Sequence, residues 1–86
     1  MKITDVLREL GAKYCIRLID DELVIYRDLG NFELEVSGLE VSAPVFGCSI
    51  YVWDKLYGGI TEQAHEIKSV DELRSELVEL ERAYSN

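Results

Sequence analysis

The chain is poor in the residues that usually announce a function. It has one histidine, two cysteines, one proline, and no apolar run approaching the roughly 18–20 residues of a membrane-spanning helix. Each scarcity closes a class of activity. The lone histidine, His65 in "EQAHEIK", has no second histidine at metalloprotease spacing and no serine or cysteine in a nucleophile setting, so it reads as a surface residue. Two cysteines and one histidine fall short of the four ligands of a structural zinc site. Cys15 and Cys48 lie far apart, each inside an apolar strand-like run. They read as small buried hydrophobes; a single bridge between them stays open, but a disulfide framework does not. No GxxxxGK[ST] or GxGxxG loop is present to cradle a phosphate. The acidic tip Asp20-Asp21-Glu22 lacks the alternating ligands, central glycine and distal glutamate of a calcium loop. The reading is a protein that is not an enzyme and needs no cofactor or metal. "MKITDVLREL" is too polar for a signal peptide, so a cytoplasmic location is expected.

Positive charge is also scarce. Nine lysines and arginines face seventeen acids, a net charge of −8. Nucleic acids and anionic membranes are polyanions bound through lysine and arginine, so direct contact with either is disfavoured. The same charge steers the chain toward a basic protein, including one that itself binds nucleic acid, such as a nuclease.

What is present is enough apolar material for one core. The 86 residues make a single domain, residues 1–86, and 48% are hydrophobic, with five tyrosines and one tryptophan. The expected class is α+β: a short N-terminal helix, a three- to four-stranded antiparallel sheet, and a C-terminal amphipathic helix packed on one face. Ile3, Val6, Leu7 and Leu10 recur at helical spacing, with Thr4 as the expected cap and Gly11 as the stop. Strand-forming runs follow at 13–19 and 22–28 around the turn Asp20-Asp21. "FELEV" alternates cleanly, Phe32, Leu34 and Val36 one way and Glu33 and Glu35 the other. Leu39 and Val41 continue that alternation until Ala43-Pro44 breaks it. "VFGCSIYVW", 45–53, is apolar on both faces, as expected of a strand that sits centrally in the sheet or has its second face covered. "ITEQAHEIK", 60–68, fits an edge strand, a helical turn or an ordered loop. Ser69 opens the last helix with the capping box "SVDE", and Val70, Leu73, Leu77, Leu80 and Tyr84 form its stripe.

The candidate partner-binding residues are carboxylates. Glu72, Glu76 and Glu79 stand at i, i+4 and i+7 on the last helix and are only partly offset by Asp71–Arg74 and Glu79–Arg82 pairs. Glu33 and Glu35 project from one strand face, with Glu40 extending the row, and Asp20 and Asp21 mark a hairpin tip. Such rows are spaced like strand phosphates. Tyr51 and Trp53 share a face opposite Ile50 and Val52, and form either an interface or core beneath a helix.

The opening "MKITDVLREL…KYCIRL", through Ile3, Asp5, Arg8, Glu9, Tyr14 and Leu18, resembles the start of small acidic phage-encoded anti-CRISPR proteins. The resemblance covers the first fifth of the chain and is supported by size, acidity and element order. It implies a short helix leading into a three-stranded antiparallel sheet flanked by helices. It also implies a DNA-like charge pattern that blocks an RNA-guided nuclease at its basic DNA-binding surface. No site residues carry over from it. The reading is therefore a phage or mobile-element inhibitor acting by nucleic-acid mimicry. The alternative is a small assembly module that self-associates through its sheet, as a homodimer for instance, with acidity serving solubility.

Overall fold

The computed structural model describes residues 2–39 and 46–85. The elements run α1 (Ile3–Leu10), β1 (Cys15–Ile19), β2 (Glu22–Asp28), β3 (Phe32–Ser37), β4 (Cys48–Asp54), β5 (Ile60–Ile67) and α2 (Val70–Tyr84). The five strands form one antiparallel sheet in sequence order, β1-β2-β3-β4-β5. Among the described residues the fold is α+β with five strands rather than three or four, because the ambiguous 60–67 segment is an edge strand. β3 ends at Ser37 and Leu39 lies in a turn, so the expected alternation does not continue through Leu39; Glu40, Val41, Ala43-Pro44 and the start of the next run at Val45 lie outside the described residues.

Local chemistry sets the ends of the elements. α1 is not capped by Thr4, which lies within the helix; the Asp5 carboxylate instead accepts from the backbone N–H of Lys2 at 2.9 Å. Gly11 ends α1 at φ 94°, its N–H donating to the Leu7 carbonyl at 3.0 Å. Asp20 and Asp21 both have positive φ, 51° and 64°, giving the two-residue turn whose twist matches the flanking strands. Short aspartate side chains tolerate that geometry better than most residues. Ser69 caps α2, its hydroxyl accepting from the Glu72 N–H at 3.0 Å.

Both helices cover one face of the sheet. Ile25, Leu34, Val36, Ile50 and Val52 point inward from the strands and meet Val6 of α1 and Leu73, Leu77 and Leu80 of α2. Glu81 of α2 ties this layer to the sheet, accepting from Tyr14 at 2.9 Å and from Arg27. Burial pushes the Tyr14 hydroxyl up to about 12, with Arg27 pulling it back in part.

The cysteines separate by face. Cys48 is buried in this core, but Cys15 is exposed, contrary to the sequence expectation. β1 is an edge strand, and Cys15 pairs opposite Tyr26 on the face the helices do not cover. Both thiols are free. Burial, with a smaller contribution from Glu72, pushes the Cys48 thiol up to about 11. A thiol-alkylating reagent is therefore expected to add one label to the native protein, at Cys15, and two in denaturant. Two labels on the native protein by mass spectrometry would mean that the core around Cys48 is not closed.

Candidate binding surface

The pleat sends alternate residues of every strand to the face opposite the helices. From β1 these are Cys15, Arg17 and Ile19; from β2, Glu22, Val24, Tyr26 and Asp28. Glu33, Glu35 and Ser37 come from β3, and Ser49, Tyr51 and Trp53 from β4. Tyr51 and Trp53 are thus not core beneath a helix; both lie half-buried on the open face.

The two glutamates are held crosswise. Glu35 stands opposite both Tyr26 and Tyr51, and Glu33 stands opposite Trp53. The hydrogen bonds run diagonally: the Trp53 indole N–H donates to Glu35 at 3.0 Å, and the Tyr26 hydroxyl donates to Glu33. Diagonal neighbours on a sheet are within reach of aromatic side chains. Burial, and then the bond to Glu33, push the Tyr26 hydroxyl up to about 12. Glu22 accepts from the backbone N–H of Gly38 at 2.7 Å. Arg17 lies over Tyr26, its guanidinium carbon 3.9 Å from the ring centre. Beyond Tyr51, His65 of β5 meets that ring edge-on at 5.6 Å and contacts Ser49 at 3.0 Å.

Between these groups is a recess of about 320 Å³, lined by Ile19, Asp20, Glu22, Tyr26, Glu33, Glu35 and Trp53. Four carboxylates converge on it. Among the described residues none of the four pairs with a lysine or arginine, and the donors they do have are neutral. Glu35 registers the crowding. Burial raises its pKa, the Trp53 N–H lowers it, and Glu22, Asp20 and Glu33 raise it again. A carboxyl whose pKa is raised on folding favours the fold below the ordinary carboxylate range and loses that contribution as pH rises through the raised value. Ionised Glu35 is therefore held at a cost to stability, one that a bound cation would relieve.

The sequence-derived residues divide between two faces. Asp20, Glu33 and Glu35 come together at the recess; Asp21 sits beside them at the exposed turn but does not line it. Glu72, Glu76 and Glu79 are exposed on α2, on the other side of the molecule. That ridge is partly neutralised: Arg82 pairs with Glu79, and Arg74 with Asp71 and Glu9. Glu40 lies outside the described residues. Glu22, Tyr26 and Trp53 are part of the recess although charge spacing alone did not select them. Their signal is parity, since each shares the pleat phase of a glutamate on its own or the next strand.

A second hollow, about 410 Å³, lies between the end of α1 and α2, lined by residues including Lys13, Tyr14, Arg74 and Glu81. Two of its charges are already matched, Glu81 by Tyr14 and Arg27 and Arg74 by Glu9 and Asp71. Among the described residues no group of three histidine, cysteine, aspartate or glutamate side chains is arranged to hold a metal ion, and no helix is long and apolar enough to cross a membrane. No protein-family model, curated protein or solved structure matches the chain.

Proposed function

We propose that this is a non-catalytic acidic protein that occupies the basic, nucleic-acid-binding surface of another protein, as the anti-CRISPR proteins resembled by its opening do. The observation that carries the reading is the uncovered sheet face. The four carboxylates of its recess lack a lysine or arginine partner among the described residues and stand beside tyrosine and tryptophan, the residues most useful at interfaces. The acidic ridge of α2 adds long-range attraction and faces away from the recess, so the sheet face is the contact surface and the ridge a steering charge.

The protein, immobilised and exposed to bacterial lysate at low salt, is expected to retain a basic nucleic-acid-binding protein that high salt releases and that duplex DNA displaces. Retention of such a protein unaffected by competing DNA would rule out mimicry.

A second reading, self-assembly, is favoured by one feature. β1 lies at the sheet edge and presents Leu18, 67% exposed. Light scattering coupled to size exclusion decides it: a dimer insensitive to salt supports assembly, and a monomer excludes it.

A further inference from the structure

We propose that the recess on the open sheet face receives the side chain of a single arginine from the basic partner, its guanidinium stacked on Trp53 and paired with Glu33 and Glu35. The inference rests on the function proposed above and specifies what is recognised.

Acidity alone does not single out the recess, since α2 is acidic too. The difference lies in shape, aromatic walls and unmet charge. The volume, about 320 Å³, suits one long side chain rather than a helix or a strand. One oxygen each of Glu33 and Glu35 accepts from a ring donor, and among the described residues the other oxygen of each accepts nothing. Two open carboxylate oxygens beside an indole match a guanidinium, which is planar, weakly hydrated and carries five N–H donors. A lysine ammonium is compact and strongly hydrated, so it gains less from the same walls. The face already holds one guanidinium stacked on a ring, Arg17 over Tyr26. Arg17 does not line the recess, so it leaves the Trp53 side open. Anionic ligands are repelled by the four carboxylates, which removes phosphate groups and nucleic acid as occupants.

Trp53 is the only tryptophan, so its fluorescence and its indole N–H signal in NMR report the site directly. The probe is a capped Gly-Arg-Gly peptide, compared with its lysine and citrulline counterparts; citrulline keeps the shape of arginine without the charge. The arginine peptide is expected to shift the Trp53 signal saturably with a millimolar Kd, the affinity available to one side chain with one stacked and paired group. The lysine peptide should bind severalfold more weakly and the citrulline peptide not at all. Glu35→Gln should weaken the arginine peptide about tenfold, within the range for a hydrogen bond to a charged group. Its melting temperature at neutral pH should be unchanged or higher, since ionised Glu35 is held at a cost.

No saturable response, an equal response to citrulline, or indifference to Glu35→Gln would overturn the assignment. Nona-arginine separates this failure from that of the broader reading. Salt-sensitive nona-arginine binding with Trp53 silent removes the recess and keeps a basic partner. Absence of nona-arginine binding removes both.

Discussion

Truncating Leu73 to alanine is expected to lower the unfolding free energy by about 3–4 kcal/mol and the melting temperature by roughly 15–20 °C. Leu73 is fully buried in the one cluster that joins α2 to the sheet, and it sits in the first turns of that helix. The loss combines the transfer free energy of the missing methyls with the cavity left behind, since strands on one side and helix backbone on the other limit collapse. For a domain of this size, whose total stability is of order 4–13 kcal/mol, that is a large fraction. Val78, on the same helix and 44% exposed, supplies the control: Val78→Ala should fall within about 0.5 kcal/mol of the parent. Urea denaturation with an unchanged slope and a lower midpoint would confirm the mechanism, and equal effects at the two positions would refute the packing of α2 on the sheet.

The second large effect is on binding. Glu33→Lys combined with Glu35→Lys should reduce affinity for a basic partner, or for nona-arginine in its place, by more than about 100-fold at low salt, because truncating or reversing one buried member of a charge pair alone costs about 2–5 kcal/mol. The lysine stems can lie along the sheet with their amines in water, so the double variant should keep its fold, as circular dichroism would show. Reversal of Glu72, Glu76 and Glu79 on α2 should cost much less, a few-fold, and mainly through slower association. That contrast distinguishes a contact surface from a steering field. If the helix variant loses more than the sheet variant, the roles assigned to the two faces are exchanged.

Much of the architecture is legible in the residues, and the parts that are not have physical reasons. β3 reads cleanly because "FELEV" is apolar on one side and charged on the other, as a strand with one wet face must be. α2 reads cleanly because Ser69 caps it and its leucines recur at helical spacing. β5 does not, because an edge strand needs no apolar face: nearly all its positions are exposed, and shifts in its register with β4 break the alternation. Cys15 misleads because "CIRLI" alternates ambiguously, and only the pairing of Cys15 with Tyr26 shows which set faces away from the helices. The site was half legible. The carboxylates are plain in composition, but grouping Asp20 with Glu35 requires the hairpin registers, and the crosswise bonds from Tyr26 and Trp53 depend on diagonal neighbours that no spacing along the chain reveals.

The strictly sequential strand order governs how the chain acquires its shape. Each strand finds its neighbour by closing a connection to the one before it, so the sheet zips up from local hairpins with little loop entropy to overcome. The apolar side of that sheet is a different matter. Ile25, Leu34, Val36, Ile50 and Val52 share one core with both helices, and α2 is synthesised after all five strands. On the ribosome the nascent chain therefore passes through an interval in which the five strands have α1 but lack α2, so part of the greasy face and the sheet edges stand open, the condition under which chains stick to one another. Docking of Leu73, Leu77 and Leu80 ends that interval, which makes α2 the element whose timing governs the yield of soluble protein during synthesis.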